Sequence, residues 1–196
     1  MKKIWTWLWI AAIAVVLVFG ILYFVKSKDE PVAEPTFNEY MMQDFEFAQT
    51  LSSPAIAIRF YEVQTVLNGN LDTLAPENVK VVQSTSVFAK CDTVYFLTRT
   101  AGVEGFELDS TFGFWVGSSP ILDMNVNISF EDAVKAMYEY GVVPAGDKMV
   151  FREPNTPDIH EPLYIFGTYD SRFVGVNSAT REVKVLDEDI PEEQEE

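Results

Sequence analysis

Residues 78–127 read NVKVVQSTSVFAKCDTVYFLTRTAGVEGFELDSTFGFWVGSSPILDMNVN, and this stretch decides the class of fold. Short runs rich in β-branched and aromatic residues follow one another: Val81-Val82, Val87-Phe88, Val94 to Leu97, Phe106 with Leu108, Phe112 with Phe114 and Val116, and Met124 with Val126. Turn residues such as Ala101-Gly102 and Ser118-Ser119-Pro120 separate them. Alternation at period two between turns predicts an antiparallel meander. Within it, alternation sets Trp115 on the same side as Gly113 and Gly117. Phe112, Phe114 and Val116 take the other side, which reads as core.

Upstream of the meander the period is helical. Thr36 and Glu39 have capping-box spacing, and Phe37, Met41, Phe45 and Ala48 share a face, predicting a helix that ends near Leu51. A second helix is expected from Ser53-Pro54 to Gly69, because Ile56, Phe60, Val63 and Leu67 fall on one helical face; Ile56, Ile58 and Phe60 also alternate as in a strand. Downstream, Ser129 and Asp132 open a helix that buries Phe130, Ala133, Val134 and Met137 and stops at Gly141. Strands return at Met149 to Phe151, Leu163 to Phe166, Arg172 to Val176 and Glu182 to Leu186. Phe114-Trp115 and Phe173-Val174 stand in similar settings 59 residues apart, a trace of internal duplication.

Outside this body the chain is polarised. It carries 14 Lys or Arg against 30 Asp or Glu, a net charge of −16. All the acids lie at Asp29 or later, and the first 28 residues hold only Lys2, Lys3, Lys26 and Lys28. Ile4 to Val25 is 22 residues without a charge, enough at ~1.5 Å per residue to cross a ~30 Å hydrocarbon layer. Trp5, Trp7 and Trp9 at one end and Tyr23 at the other suit the headgroup zones. The segment is too long for a cleaved signal core, and the Met-Lys-Lys opening reads as an uncleaved export signal. These features predict a single-pass protein of a bacterial inner membrane, N-terminus cytoplasmic and C-terminal body periplasmic.

The expected architecture is α+β: an N-terminal transmembrane helix followed by two helix-plus-antiparallel-sheet units. The divisions are a membrane anchor 1–28 (span 4–25), a linker 29–35 with two prolines, a first unit 36–127, a second unit 128–186 and a tail 187–196. That tail holds seven acids and one proline, too little apolar surface to fold.

Chemistry is sparse. The acidic body and the lack of a Lys/Arg cluster exclude nucleic acid as a partner. One Cys and one His exclude an internal disulfide and Cys/His zinc sites, and no cofactor is implied. Asp123-x-Asn125-x-Asn127 opens like a calcium loop but has Ile128 where Gly is needed and Val134 where Glu is needed, and reads as a strand. Gly141-x-x-x-x-Gly146 resembles a phosphate loop until Asp147 replaces the Lys, and reads as a turn. Gly117-x-Ser119 lacks the second Gly of a nucleophile elbow. A Cys91–His160 dyad is the one available thiol–imidazole pair, and Asp158, His160 and Glu161 the one His-centred acidic cluster. Neither motif supports an enzyme assignment, so no catalytic or metal residue is assigned. Trp115, the only Trp outside the apolar span, is the tentative partner-binding residue.

Ser129 to Gly141 (SFEDAVKAMYEYG), an extended pair around Leu163 to Phe166, and Phe173 to Val183 (FVGVNSATREV) together resemble a PepSY-type domain over about residues 127–187. In that family a helix precedes strands, and a final hairpin reads hydrophobic-Asp-x-x-Thr-Gly-Glu-Val. Here Asn177 stands for the Asp and Arg181 for the Gly. The resemblance implies a non-enzymatic exported module, often membrane-tethered, that modulates peptidases, and carries over no catalytic residue. The expected function is therefore a membrane-anchored extracytoplasmic binding or regulatory protein with a protein or peptide partner, such as an accessory subunit of an envelope complex. The contrasting class is an exported enzyme, which would need reactive groups converging in a pocket.

Overall fold

The computed structural model describes residues 35–52, 56–122, 124–142, 144–154, 161–169 and 172–186. The apolar stretch 4–25, most of the linker, His160 and the tail 187–196 lie outside them. Among the described residues no helix is long and apolar enough to cross a membrane.

Helix α1 (Phe37–Thr50) begins at the expected box. Thr36 Oγ1 accepts from the Glu39 N–H at 3.3 Å, and the Thr36 N–H donates to Glu39 Oε2 at 2.7 Å, a bond that holds the Glu39 carboxyl below its usual range. Helix α2 (Phe130–Tyr140) starts at Ser129, whose Oγ accepts from the Asp132 N–H at 3.1 Å, and ends at Gly141 with φ 87°. Only glycine takes that backbone region without a Cβ clash.

Residues 59–67 depart from expectation. They form strand β1 (Arg59–Leu67), not a helix. The cause is a β-bulge: Phe60 pairs with Phe88 and Glu62 with Val87, so Tyr61 is an extra residue on β1. A bulge moves the chain one residue out of phase, which puts Phe60 and Val63 on one face of a strand at the i, i+3 spacing of a helix. Val63, Thr65 and Leu67 then continue in ordinary alternation, all buried.

The remaining strands are β2 (Val81–Lys90), β3 (Thr93–Thr100), β4 (Glu107–Phe112), β5 (Pro144–Arg152), β6 (Leu163–Thr168), β7 (Phe173–Asn177) and β8 (Val183–Leu186). Met124 and Val126, expected in a strand, lie in irregular backbone leading to α2. Gly146, expected in a turn, lies within β5 at φ 84°, where the register with β6 shifts.

Two separate helix-plus-sheet units are not what forms. All eight strands make one antiparallel sheet in the order β4-β3-β2-β1-β5-β6-β7-β8. The join is β1 against β5, from Glu62 opposite Arg152 to Val66 opposite Lys148. Each half of the sheet is entered from a helix and laid down as a four-strand meander, and the two meanders run outward from β1 and β5. The trace at an interval of 59 does not match positions, since Phe173 opens β7 whereas Phe114 lies beyond β4. One hydrophobic cluster draws on both helices and both halves, including Met41, Ala48, Val63, Phe88, Phe130, Met137, Phe151, Phe166 and Val176. A sheet paired across its middle and covered by both helices on one face has one core, which the local pattern of neither half could announce.

A polar clasp ties the helices. Asn38 on α1 donates through Nδ2 to the Ile128 carbonyl at 2.9 Å and to the Tyr164 hydroxyl at 3.1 Å, while its Oδ1 accepts from the Phe130 N–H at 3.1 Å. Tyr164 also donates to the Ile128 carbonyl at 3.0 Å, and its burial pushes the phenol pKa well up. In the last hairpin Asn177 Oδ1 accepts from the Ala179 and Thr180 N–H groups at 2.8 and 2.9 Å, and Arg181 holds φ 67°, a conformation that favours glycine.

Candidate functional site

Past β4 the chain breaks at Gly113, whose φ of 147° is open to glycine but not to larger residues, and its N–H donates to the Asp92 carbonyl at 2.8 Å. Residues 113–121 then run back across the sheet face opposite α1 and α2. They are held by Ile121 N–H to the Phe60 carbonyl at 2.7 Å and by Arg152 Nη1 to the Gly117 carbonyl at 2.6 Å.

Trp115 is half-buried in this segment. Its ring meets Phe96 edge-on at 6.2 Å, over a small cluster of Tyr61, Val87, Ala89 and Val94. Its Nε1–H donates to Ser118 Oγ at 3.2 Å. Gly117 is required by proximity: a Cβ there would lie 2.9 Å from the indole Cζ2.

The expected core side of this segment is corrected. Phe112, Phe114 and Val116 are 82%, 78% and 85% exposed, and Leu122 is 87% exposed. Alternation separated the two sides correctly, but the Trp115 side lies against the sheet and the Phe112–Phe114–Val116 side faces outward. A groove of about 350 Å³ lies between Val94, Phe96, Thr111, Phe112, Phe114 and Trp115.

This apolar ridge continues the edge strand. All six residues of β4 are exposed, and among the described residues β4 pairs with β3 alone. Since the Gly113 N–H bonds to Asp92, the register that follows leaves the backbone groups of Leu108, Ser110 and Phe112 pointing away from β3. The Ser110 N–H is met locally by Asp109 Oδ1 at 2.7 Å. Leu108 lies opposite Leu97 and so on the helix side, whereas Glu107 and Asp109 lie on the other face. No Lys or Arg occurs between Arg99 and Lys135, while Glu104, Glu107 and Asp109 do. The surface is apolar, acidic and open along its backbone.

The described residues do not bring candidate reactive groups together. Cys91 is exposed in the β2–β3 turn at φ 55°, and His160, the one imidazole with which it could form a dyad, lies outside the described residues, as does Asp158. Among the described residues no group of three His, Cys, Asp or Glu side chains is placed to hold a metal ion.

A buried polar cluster was missed by the sequence reading. Asp44 on α1, fully buried, accepts from Ser86 Oγ at 2.7 Å and from Arg99 Nε at 2.6 Å. The Arg99 guanidinium also sits over the Tyr40 and Phe106 rings at 5.0 and 5.2 Å. Burial raises the Asp44 carboxyl pKa despite these bonds. The signal was present: Asp44 is three residues after Met41 and four before Ala48, on the buried face. Among the described residues Ser86 is tied to a carboxylate and to no imidazole, and the cluster fixes α1 on the sheet. On the sheet face opposite α1 and α2, Glu62 lies 4.0 Å from Arg152 and accepts from Gln64 Nε2 at 2.7 Å, beside a groove of about 490 Å³ that includes Ile165 and Phe173.

No family model matches the chain, and comparison with curated proteins and with solved structures finds no match.

Proposed function

We propose that this is a membrane-tethered, extracytoplasmic binding or regulatory protein, held by residues 4–25 in a bacterial inner membrane with its body in the periplasm. It engages a protein partner of the envelope through Trp115 and the ridge around it. The observation that carries the reading is the exposure of Phe112, Phe114 and Val116 together beside the half-buried indole, around one groove. Contiguous apolar surface of this kind on a soluble body marks a contact site far more often than isolated exposed side chains do. An aromatic anchored at one edge, with a shallow groove beside it, is the arrangement that supplies binding energy at low entropic cost.

Three further features support the reading. The uncharged length of residues 4–25 suits a tether. The PepSY-like resemblance favours a modulator of peptidases over an enzyme. The Asp44–Ser86–Arg99 cluster is committed to internal bonds, which favours recognition over catalysis.

The test is site-specific crosslinking of the full chain in its own membranes, with a photoreactive residue at Phe114 or, as control, at exposed Tyr140 on α2. A discrete adduct from position 114 and none from 140 is expected. Equal labelling at both positions, or none at 114, would contradict the proposal.

A further inference from the structure

Exposed side chains alone do not explain why the ridge continues an open strand edge. We infer that β4 accepts a ninth strand from the partner: an extended, basic segment with apolar residues at alternate positions, laid along Glu107–Phe112. The inference rests on the proposal that this surface binds a protein, and names the chemistry of what it binds.

The first ground is the backbone. Leu108, Ser110 and Phe112 present their N–H and C=O groups outward, the row that an added strand completes. Natural edges are commonly guarded by charged side chains, above all Lys, by Pro, by bulges or by a covering element; among the described residues β4 has two acids and none of the others. The opposite edge, β8, has Lys184 in its four residues, whereas β4 has neither Lys nor Pro and pairs with β3 without a break in register.

The second ground is charge, which selects the occupant. Glu107 and Asp109 lie on one side of β4 and Leu108 and Phe112 on the other, with Glu104 just before them and no cation between Arg99 and Lys135. A strand seated here meets carboxylates at one parity and apolar groups at the other. Cross-strand pairs of opposite charge are favourable and like pairs unfavourable, so the incoming segment alternates Lys or Arg with aliphatic or aromatic residues. Its first carbonyl replaces Asp109 Oδ1 at the Ser110 N–H and frees that carboxylate for a cation.

Charge also disfavours the occupants nearest to hand. A second copy pairing β4 with β4 would set Glu107 and Asp109 against the same acids between two chains of charge −16 each. The chain's own tail 187–196 carries seven acids and follows β8, seven strand spacings or ~34 Å away across the sheet.

The test uses the full chain in neutral phosphatidylcholine nanodiscs and a fluorescein-labelled peptide, acetyl-Lys-Val-Lys-Phe-Lys-Val-Lys-Val-amide, followed by anisotropy, with empty nanodiscs as reference. Saturable binding is expected, weakened at least tenfold by replacing the peptide lysines with Glu, by N-methylating its backbone, or by Glu107→Lys with Asp109→Lys. Binding that survives N-methylation but not the charge changes would overturn strand addition while leaving the ridge a contact surface. Absence of binding up to 1 mM, or equal binding by the Glu peptide, would overturn the inference outright. The Phe114 crosslink judges the surface itself independently, because it presumes neither charge nor strand pairing.

Discussion

Asn38, in the first turn of α1, accepts through Oδ1 a hydrogen bond of 3.1 Å from the backbone N–H of Phe130, the first residue of α2. One helix thus supplies a partner for an N–H that the other cannot satisfy within itself. The same amide reaches the Ile128 carbonyl and the Tyr164 hydroxyl, so three elements meet on one side chain.

Replacing Asn38 with Ala is therefore expected to leave part-buried groups without their partner and to cost about 2–3 kcal/mol. Urea unfolding of the full chain in micelles measures it. A loss under about 0.5 kcal/mol would mean that the clasp contributes little.

Asp44 gives a pH signature. Burial raises its folded carboxyl pKa above the ordinary value of 3.8, so the folded state holds the proton more tightly than the unfolded chain. Its contribution to stability is full below the unfolded value and is lost as pH rises through the raised folded value. Relative to Asp44→Asn, which does not titrate, the wild type should lose stability as pH increases across that window. A wild type that gains on the variant as pH rises would show that the Arg99 ion pair outweighs the burial.

Much of the local structure was legible. The Thr36–Glu39 box and the Ser129 to Gly141 helix are written in contiguous residues, and so are the runs that became β2, β3, β6, β7 and β8. What was not legible is non-local. The bulge at Tyr61 made a strand imitate a helix, and the pairing of Glu62 with Arg152 joined two expected units into one sheet across 90 residues of chain. For the candidate site, alternation picked out Trp115 and its glycines but could not say which side the sheet covers. Phe112, Phe114 and Val116 were thus assigned to a core they do not enter.

Trp115→Ala removes a half-buried ring from Phe96 and Val94, and is expected to cost about 2 kcal/mol, below the full ~3–5 kcal/mol of a buried aromatic. It should also reduce the crosslink from position 114. Melting at the wild-type temperature would show that the indole is a platform only, with no share in packing.

Protease accessibility tests the tether. With the body in the periplasm, protease should digest it in spheroplasts and spare it in intact cells. Digestion that requires inner-membrane lysis would put the body on the cytoplasmic side.

The most direct measurement of the binding surface pairs Phe112→Asp with Val116→Asp and reads two quantities, the melting temperature and the yield of the position-114 crosslink. Both side chains are more than four-fifths exposed, so the double variant is expected to melt within about 0.5 kcal/mol of the wild type while its crosslink falls at least tenfold. A collapse in stability would mean that the ridge is packed against the rest of the body, and an undiminished crosslink on a stable fold would mean that it binds nothing through these residues.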